Sequence, residues 1–197
     1  GTYEKNKFDI AGFSIGLVDK NKILNKKISK NDLVLAVPSD GLHSNGYSLV
    51  RHIIKKKKIN IIKDKYLKKE LIRPTKIYTN EVLKITKKNL IKGCANITGG
   101  GISDNLKRIL PKNTNAVINL KHIKCNKIFK WIKSQGIADN EMLKTFNCGV
   151  GFCLIAKKTK VKKIKKYFSK KFQPYIIGKI TSGKNKIIFD EKINLNK

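Results

Sequence analysis

A layered α/β domain is the fold this sequence predicts, and three observations lead to it. Short apolar runs rich in β-branched and aliphatic residues, such as 33–37 and 150–156, alternate along the chain with amphipathic stretches of helical period. Two of these runs pass through a loop of small and polar residues directly into a helix pattern, at 39–51 and 95–105. No segment repeats at solenoid spacing, so sheet and helices must bury their apolar faces against one another in layers.

Taken in order, residues 8–18 read as a strand and 33–37 as a buried one. A helix follows over 45–57, where Tyr47, Val50 and Ile54 share a face with Leu49 and Ile53 beside it. The Lys-rich stretch 55–69 reads as an exposed connection. A second helix begins after Pro74, a residue suited to a helix start and not to its middle. Strand, triglycine loop and helix occupy 93–110, with Ser103 in position to cap the helix and Pro111 ending it. A short strand at 116–120 precedes a helix at 127–134 closed by Gly136. A short helix at 141–146, a strand at 150–156 and a Lys-coated helix at 161–168 come next. Residues 175–180 and 186–189 close the chain as a hairpin around Ser182-Gly183-Lys184-Asn185.

Composition narrows the functional classes. The net charge of +32 rests on 45 Lys and Arg against 13 Asp and Glu. Such an excess invites a nucleic-acid reading, since clustered cations release the counterions of phosphates. All but three of the 45 are Lys, and only Arg51, Arg73 and Arg108 offer the bidentate fork that base readout favours. Lys runs at 55–58 and 162–166 fit the solvated faces of helices, and aromatic residues do not interleave with them as a stacking platform requires. Abundant Asn and Ile beside Lys is the mark of A-rich codons. No specific nucleic-acid partner is expected, and a basic nucleic-acid-binding protein is the alternative from another class. Cys94, Cys125, Cys148 and Cys153 form no C-x-x-C pair and read as reduced thiols. The apolar stretch 10–18 is too short to span a bilayer, and no secretory signal is present. The expectation is a cytoplasmic protein without a membrane partner.

The two loops carry the chemistry. A helix start leaves N–H groups unpaired and bears partial positive charge, which favours phosphate oxygens. Consecutive glycines let main-chain N–H groups come close to a ligand. Ser44 and Asn45 in the first loop read as helix caps that also donate to a ligand, and Thr98, Gly99, Gly100 and Gly101 in the second as a phosphate cradle. Neither loop follows G-x-G-x-x-G or the P-loop spacing, so a tight strand-to-helix turn stays open for each. His43, set among glycines and hydroxyls, either donates to a phosphoryl oxygen, relays a proton or merely holds the loop. Cys148 has no base nearby in sequence and is not read as a nucleophile. No metal-ligand set is seen.

Five segments together resemble a known family. Asp9-Ile10-Ala11-Gly12-Phe13, Leu42-His43-Ser44-Asn45-Gly46-Tyr47-Ser48-Leu49-Val50-Arg51, Pro74-Thr75-Lys76-Ile77-Tyr78, Thr98-Gly99-Gly100-Gly101 and the segment from Glu141 to Gly151 occur in the order and spacing of phosphoribosylformylglycinamidine cyclo-ligases. These are also called aminoimidazole ribonucleotide (AIR) synthetases. The resemblance sharpens the fold to α/β (α+β), a mixed sheet flanked by helices like the C-terminal domain of AIR synthetase. It implies ATP-dependent closure of formylglycinamidine ribonucleotide to 5-aminoimidazole ribonucleotide in purine biosynthesis. It also implies a homodimer when full length. Family members are near twice this length, and their N-terminal half carries a D-G-V-G-T-K stretch and an acidic segment that hold ATP phosphates and Mg2+. The sequence therefore reads as N-terminally truncated, with 1–20 the last strand and linker of a missing ATP-binding domain and 21–197 the C-terminal domain. At Asn96 the family commonly has His, and an amide cannot serve as a base. Selenophosphate synthetase, thiamine-phosphate kinase and formylglycinamidine ribonucleotide synthetase are the alternatives within the superfamily.

Overall fold

In the computed structural model, residues 12–24 and 28–195 are described. Six strands form one mixed sheet in the order β2-β4-β1-β5-β3-β6. They are β1 (Leu33–Pro38), β2 (Gly93–Asn96), β3 (Thr114–Asn119), β4 (Val150–Ala156), β5 (Tyr175–Ser182) and β6 (Ile187–Asp190). Every pairing is antiparallel except that of β3 with β6. Seven helices accompany the sheet among the described residues: α1 (Tyr47–Lys56), α2 (Lys65–Leu71), α3 (Thr79–Lys87), α4 (Gly101–Lys107), α5 (Lys127–Ser134), α6 (Asp139–Thr145) and α7 (Val161–Lys165).

The alternation of β1 explains the layers. Val34 and Ala36 point into one core with Val50 and Ile53 of α1, Leu106 of α4, Phe129 of α5 and Met142 of α6. Leu35 and Val37 point into a second core with Ile85 of α3 and Ile164 of α7. A strand covered on both faces reads as a continuous apolar run, which is how 33–37 and 150–156 appear in the sequence. The expected helices-on-sheet architecture is thus present, with α1, α4, α5 and α6 on one face and α3 and α7 on the other.

Three expectations are corrected. Residues 55–69 are not merely a connection, because α2 forms where the Asp64 carboxylate accepts from the Leu67 N–H at 2.9 Å and Leu67 and Glu70 are buried. Strands β5 and β6 are not a hairpin. Strand β3 lies between them, and the intervening turn is tied to its start by the Asn115 amide oxygen, which accepts from Lys184 N–H and Lys186 N–H at 2.9 Å each. The expected strand over 8–18 falls partly outside the described residues, and its described part, 12–18, is unpaired coil. Phe13, Ile15 and Leu17 alternate there as a strand's apolar face does, at 93%, 87% and 101% exposure, but no described strand runs beside them. Smaller differences lie at the ends: α3 starts five residues beyond Pro74, and α7 stops at Lys165.

Candidate active site

The two glycine loops meet because of strand order. Strands β2, β4 and β1 are neighbours, and β4 runs antiparallel to both others. The loops leaving β1 and β2 therefore emerge at the end of the sheet where β4 begins. The entry to β4 joins them: Ser39 N–H donates to Gly149 C=O at 2.9 Å, and Ile97 N–H to Gly151 C=O at 3.0 Å. Asn147, fully buried, donates to Gly41 C=O and Leu42 C=O at 3.0 and 3.2 Å and accepts from Gly149 N–H at 2.8 Å. The glycine turn expected before β4 is present, but Asn147 makes it the anchor of the first loop.

In that first loop the helix begins at Tyr47, not at Asn45, and neither Ser44 nor Asn45 caps it. Gly46 is the N-cap because its φ of +77° suits glycine and a methyl there would run into the Phe146 ring. The first turn of α1 holds no acidic residue and no side-chain cap, so its N–H groups are open to an anion. Ser44 is exposed and its hydroxyl stands 3.2 Å from that of Thr75. Through this contact the Pro74-to-Tyr78 motif reaches the site. Tyr78 braces the same loop, donating to Pro38 C=O at 2.8 Å.

His43 is buried at 5% exposure with φ +58°, and its Nε2 accepts from Asp40 N–H at 3.1 Å. That bond requires an unprotonated Nε2 and places the proton of the neutral ring on Nδ1. Burial pushes the imidazole pKa down, opposed in part by the Asp40 carboxylate. The Asp40 carboxyl would be raised by burial, but Lys171 at 2.9 Å and Arg73 at 3.2 Å hold it below its ordinary value. Arg73 is fixed in turn by Glu70.

The second loop is held by Asn105, whose amide donates to the carbonyls of Thr98, Gly99 and Gly101 at 3.3, 3.2 and 2.8 Å. The Thr98 hydroxyl donates to the Asn105 amide oxygen at 3.1 Å. Ser103 is not the cap; Gly100, with φ +89°, occupies that position. The Gly101 N–H donates to Thr98 C=O at 3.1 Å and is thereby engaged, whereas the Gly99 and Gly100 N–H groups have no partner among the described residues. A methyl on Gly99 would stand 4.0 Å from the Asn45 amide oxygen, so the two loops face each other across a narrow gap. Asp104 lies over Gly100: a methyl there would stand 2.5 Å from its Oδ2.

Burial raises the Cys148 thiol well above its ordinary pKa, which fits a core residue and not a nucleophile. Among the described residues no three His, Cys, Asp or Glu side chains stand close enough to hold a metal ion. No helix among them is long and apolar enough to cross a membrane. A groove of about 1210 Å³ lies elsewhere, between residues 17–24 and the segment from α3 to β2, and contains none of the predicted site residues.

A mixed sheet carrying two glycine loops on the strands either side of β4 defines the class, and a family comparison gives it a name. The chain belongs to the family of AIR synthase related protein, C-terminal domain, whose model matches residues 29–191. The phosphoribosylformylglycinamidine cyclo-ligase of Prochlorococcus marinus (strain MIT 9312) is 46% identical over 80% of this chain and 48% of its own length. That of Carboxydothermus hydrogenoformans is 41% identical over 97% of this chain and 58% of its own. The chain thus spans about half the length of the relatives it matches. Among solved structures, thiamine-monophosphate kinase from Stenotrophomonas maltophilia K279a superposes with a TM-score of 0.57 at 13% identity, over 86% of this chain and 53% of that one. AaThiL complexed with AMPPCP and TMP gives 0.54 at 13% identity, over 87% and 51%. At these identities the structures speak for the fold alone.

Proposed function

We propose that this chain is the C-terminal half of an ATP-dependent cyclo-ligase that closes the imidazole ring of 5-aminoimidazole ribonucleotide. The observation that carries the reading is the joining of both glycine loops on one strand end, in a chain 41–46% identical to enzymes of that name. The first turn of α1, with Ser44 and Asn45 at its mouth, receives the ribose phosphate. The Thr98–Gly101 loop closes the other side of the gap, offering the free N–H groups of Gly99 and Gly100. His43 supports the first loop from beneath, and its Nδ1–H is the atom it has to donate toward a phosphoryl oxygen. The distant structural neighbours leave thiamine-phosphate kinase and related ATP-using enzymes as the second reading, which the higher identity to cyclo-ligases disfavours.

ATP and Mg2+ are assigned to an N-terminal half, since the sequence has no P-loop spacing and no three His, Cys, Asp or Glu side chains stand together among the described residues. The unpaired alternation of Phe13, Ile15 and Leu17 supports that half covering residues 12–18. Cytoplasmic location and a homodimer of the full-length protein belong to the same reading. The test is ADP release that depends on formylglycinamidine ribonucleotide. The chain alone is expected to be inactive, and the chain joined to its relatives' N-terminal half active. Turnover by the chain alone overturns the division of labour, and silence of the joined protein overturns the activity.

A further inference from the structure

Ring closure, on the cyclo-ligase reading on which this inference rests, needs a group to take a proton from the attacking amidine nitrogen. The basic groups around the two loops are mostly committed. His43 Nε2 accepts from the Asp40 backbone. The Asp40 carboxylate is held between Arg73 and Lys171. Glu141 accepts from the Thr145 hydroxyl. Asn96 is an amide. Asp104 is different: it is exposed, has no ion pair among the described residues of a chain with 45 Lys and Arg, and its carboxylate lies over Gly100.

The two helix starts differ in charge accordingly. No acidic residue stands in the first turn of α1, whereas Asp104 stands in that of α4. An anion is favoured at the first and disfavoured at the second. We propose that the substrate spans the gap with its phosphate at α1 and its amidine at α4, and that Asp104 is the proton acceptor of ring closure. ATP first phosphorylates the amide oxygen. The amidine nitrogen then forms the ring C–N bond with its lone pair, its N–H proton passes to an Asp104 oxygen, and the C–O bonding electrons leave with inorganic phosphate.

The experiment uses the chain joined to the N-terminal half, with kcat and KM measured for D104N and D104E and circular dichroism as the folding control. D104N is expected to lower kcat by about a hundredfold or more, within the usual span of general-base contributions, at an unchanged KM for ATP. D104E keeps the carboxylate and is expected to restore part of kcat. A bystander carboxylate would only repel the substrate's phosphate, so D104N would lower the substrate's KM at constant kcat. That result, or a D104E variant as slow as D104N, overturns the assignment while leaving the cyclo-ligase reading intact. Absence of turnover in the unmodified joined protein overturns both.

Discussion

The side-chain amide of Asn147 donates to the carbonyl of Gly41 at 3.0 Å across 106 positions of sequence. Leu42 C=O and Gly149 N–H complete its bonding, and the residue is wholly buried. One side chain thus fixes the loop that carries His43, Ser44 and Asn45 to the start of β4. Asn147→Ala would leave three buried backbone groups without partners, at about 1 kcal/mol or more each. The expected destabilisation is roughly 3 kcal/mol, or about 6–12 °C in Tm for a chain of this size. Urea and thermal unfolding measure it, and a loss below about 1 kcal/mol would mean that water replaces the amide.

A second prediction concerns pH. Burial lowers the His43 pKa in the folded chain, so the unfolded chain binds this proton more tightly. Stability from this group is complete above the ordinary histidine value of about 6.5 and is lost as pH falls through the folded value. Protonation of Nε2 would also break the bond from Asp40 N–H. His43→Asn tolerates the left-handed backbone and removes the titration. Between about pH 7.5 and pH 5.5, the unmodified chain should lose more unfolding free energy than His43→Asn. Equal losses in the two proteins would show that His43 does not titrate as its burial requires.

The sequence displayed the layers because β1 and β4 are buried on both faces and the helices keep apolar stripes. Helix α5 was readable to the residue, since its apolar positions recur at helical spacing and Gly136 closes it. The false hairpin arose because a local turn signal at 182–185 says nothing about whether β3 will insert between the two strands. The described residues 12–18 show the complementary case: Phe13, Ile15 and Leu17 carry a strand's pattern, but pairing depends on a partner that the pattern cannot supply. At the site, glycine content marked both loops. The reach of Thr75 to Ser44, the three bonds of Asn147 and the placement of Asp104 over Gly100 depend on tertiary contacts that no local spacing encodes.

The Lys-rich surface yields a third prediction. Arg73 is already engaged with Asp40 and Glu70, which leaves few guanidinium groups for reading bases. Binding to oligonucleotides should be weak, indifferent to sequence and steeply lost with added salt. Fluorescence anisotropy at about 150 mM salt decides the matter. Discrimination between sequences of about a thousandfold, the low end for specific recognition, would overturn the enzyme reading.

The three consecutive glycines provide the most stringent test, because the structure gives each a different environment. Gly101, at φ +60°, would drive a methyl into the backbone carbonyl of Leu143, which cannot move without α6. Gly100, at φ +89°, would set a methyl 2.5 Å from the Asp104 Oδ2, which can rotate away, and 2.7 Å from the Asp104 Cβ, which moves only with the α4 backbone. Gly99 would meet only the Asn45 amide oxygen at 4.0 Å. Left-handed strain alone costs an alanine about 1–2 kcal/mol. Gly101→Ala should therefore destabilise most, Gly100→Ala by about 1–3 kcal/mol, and Gly99→Ala by less than about 1 kcal/mol. The Gly99 methyl still narrows the gap between the loops where the substrate is placed. In the protein joined to its N-terminal half, Gly99→Ala should raise the KM for formylglycinamidine ribonucleotide about tenfold and leave that for ATP unchanged. Gly100→Ala gives no such clean comparison, since it also displaces Asp104. A Gly99→Ala variant that binds substrate normally would place the ligand outside the gap between Asn45 and Gly99.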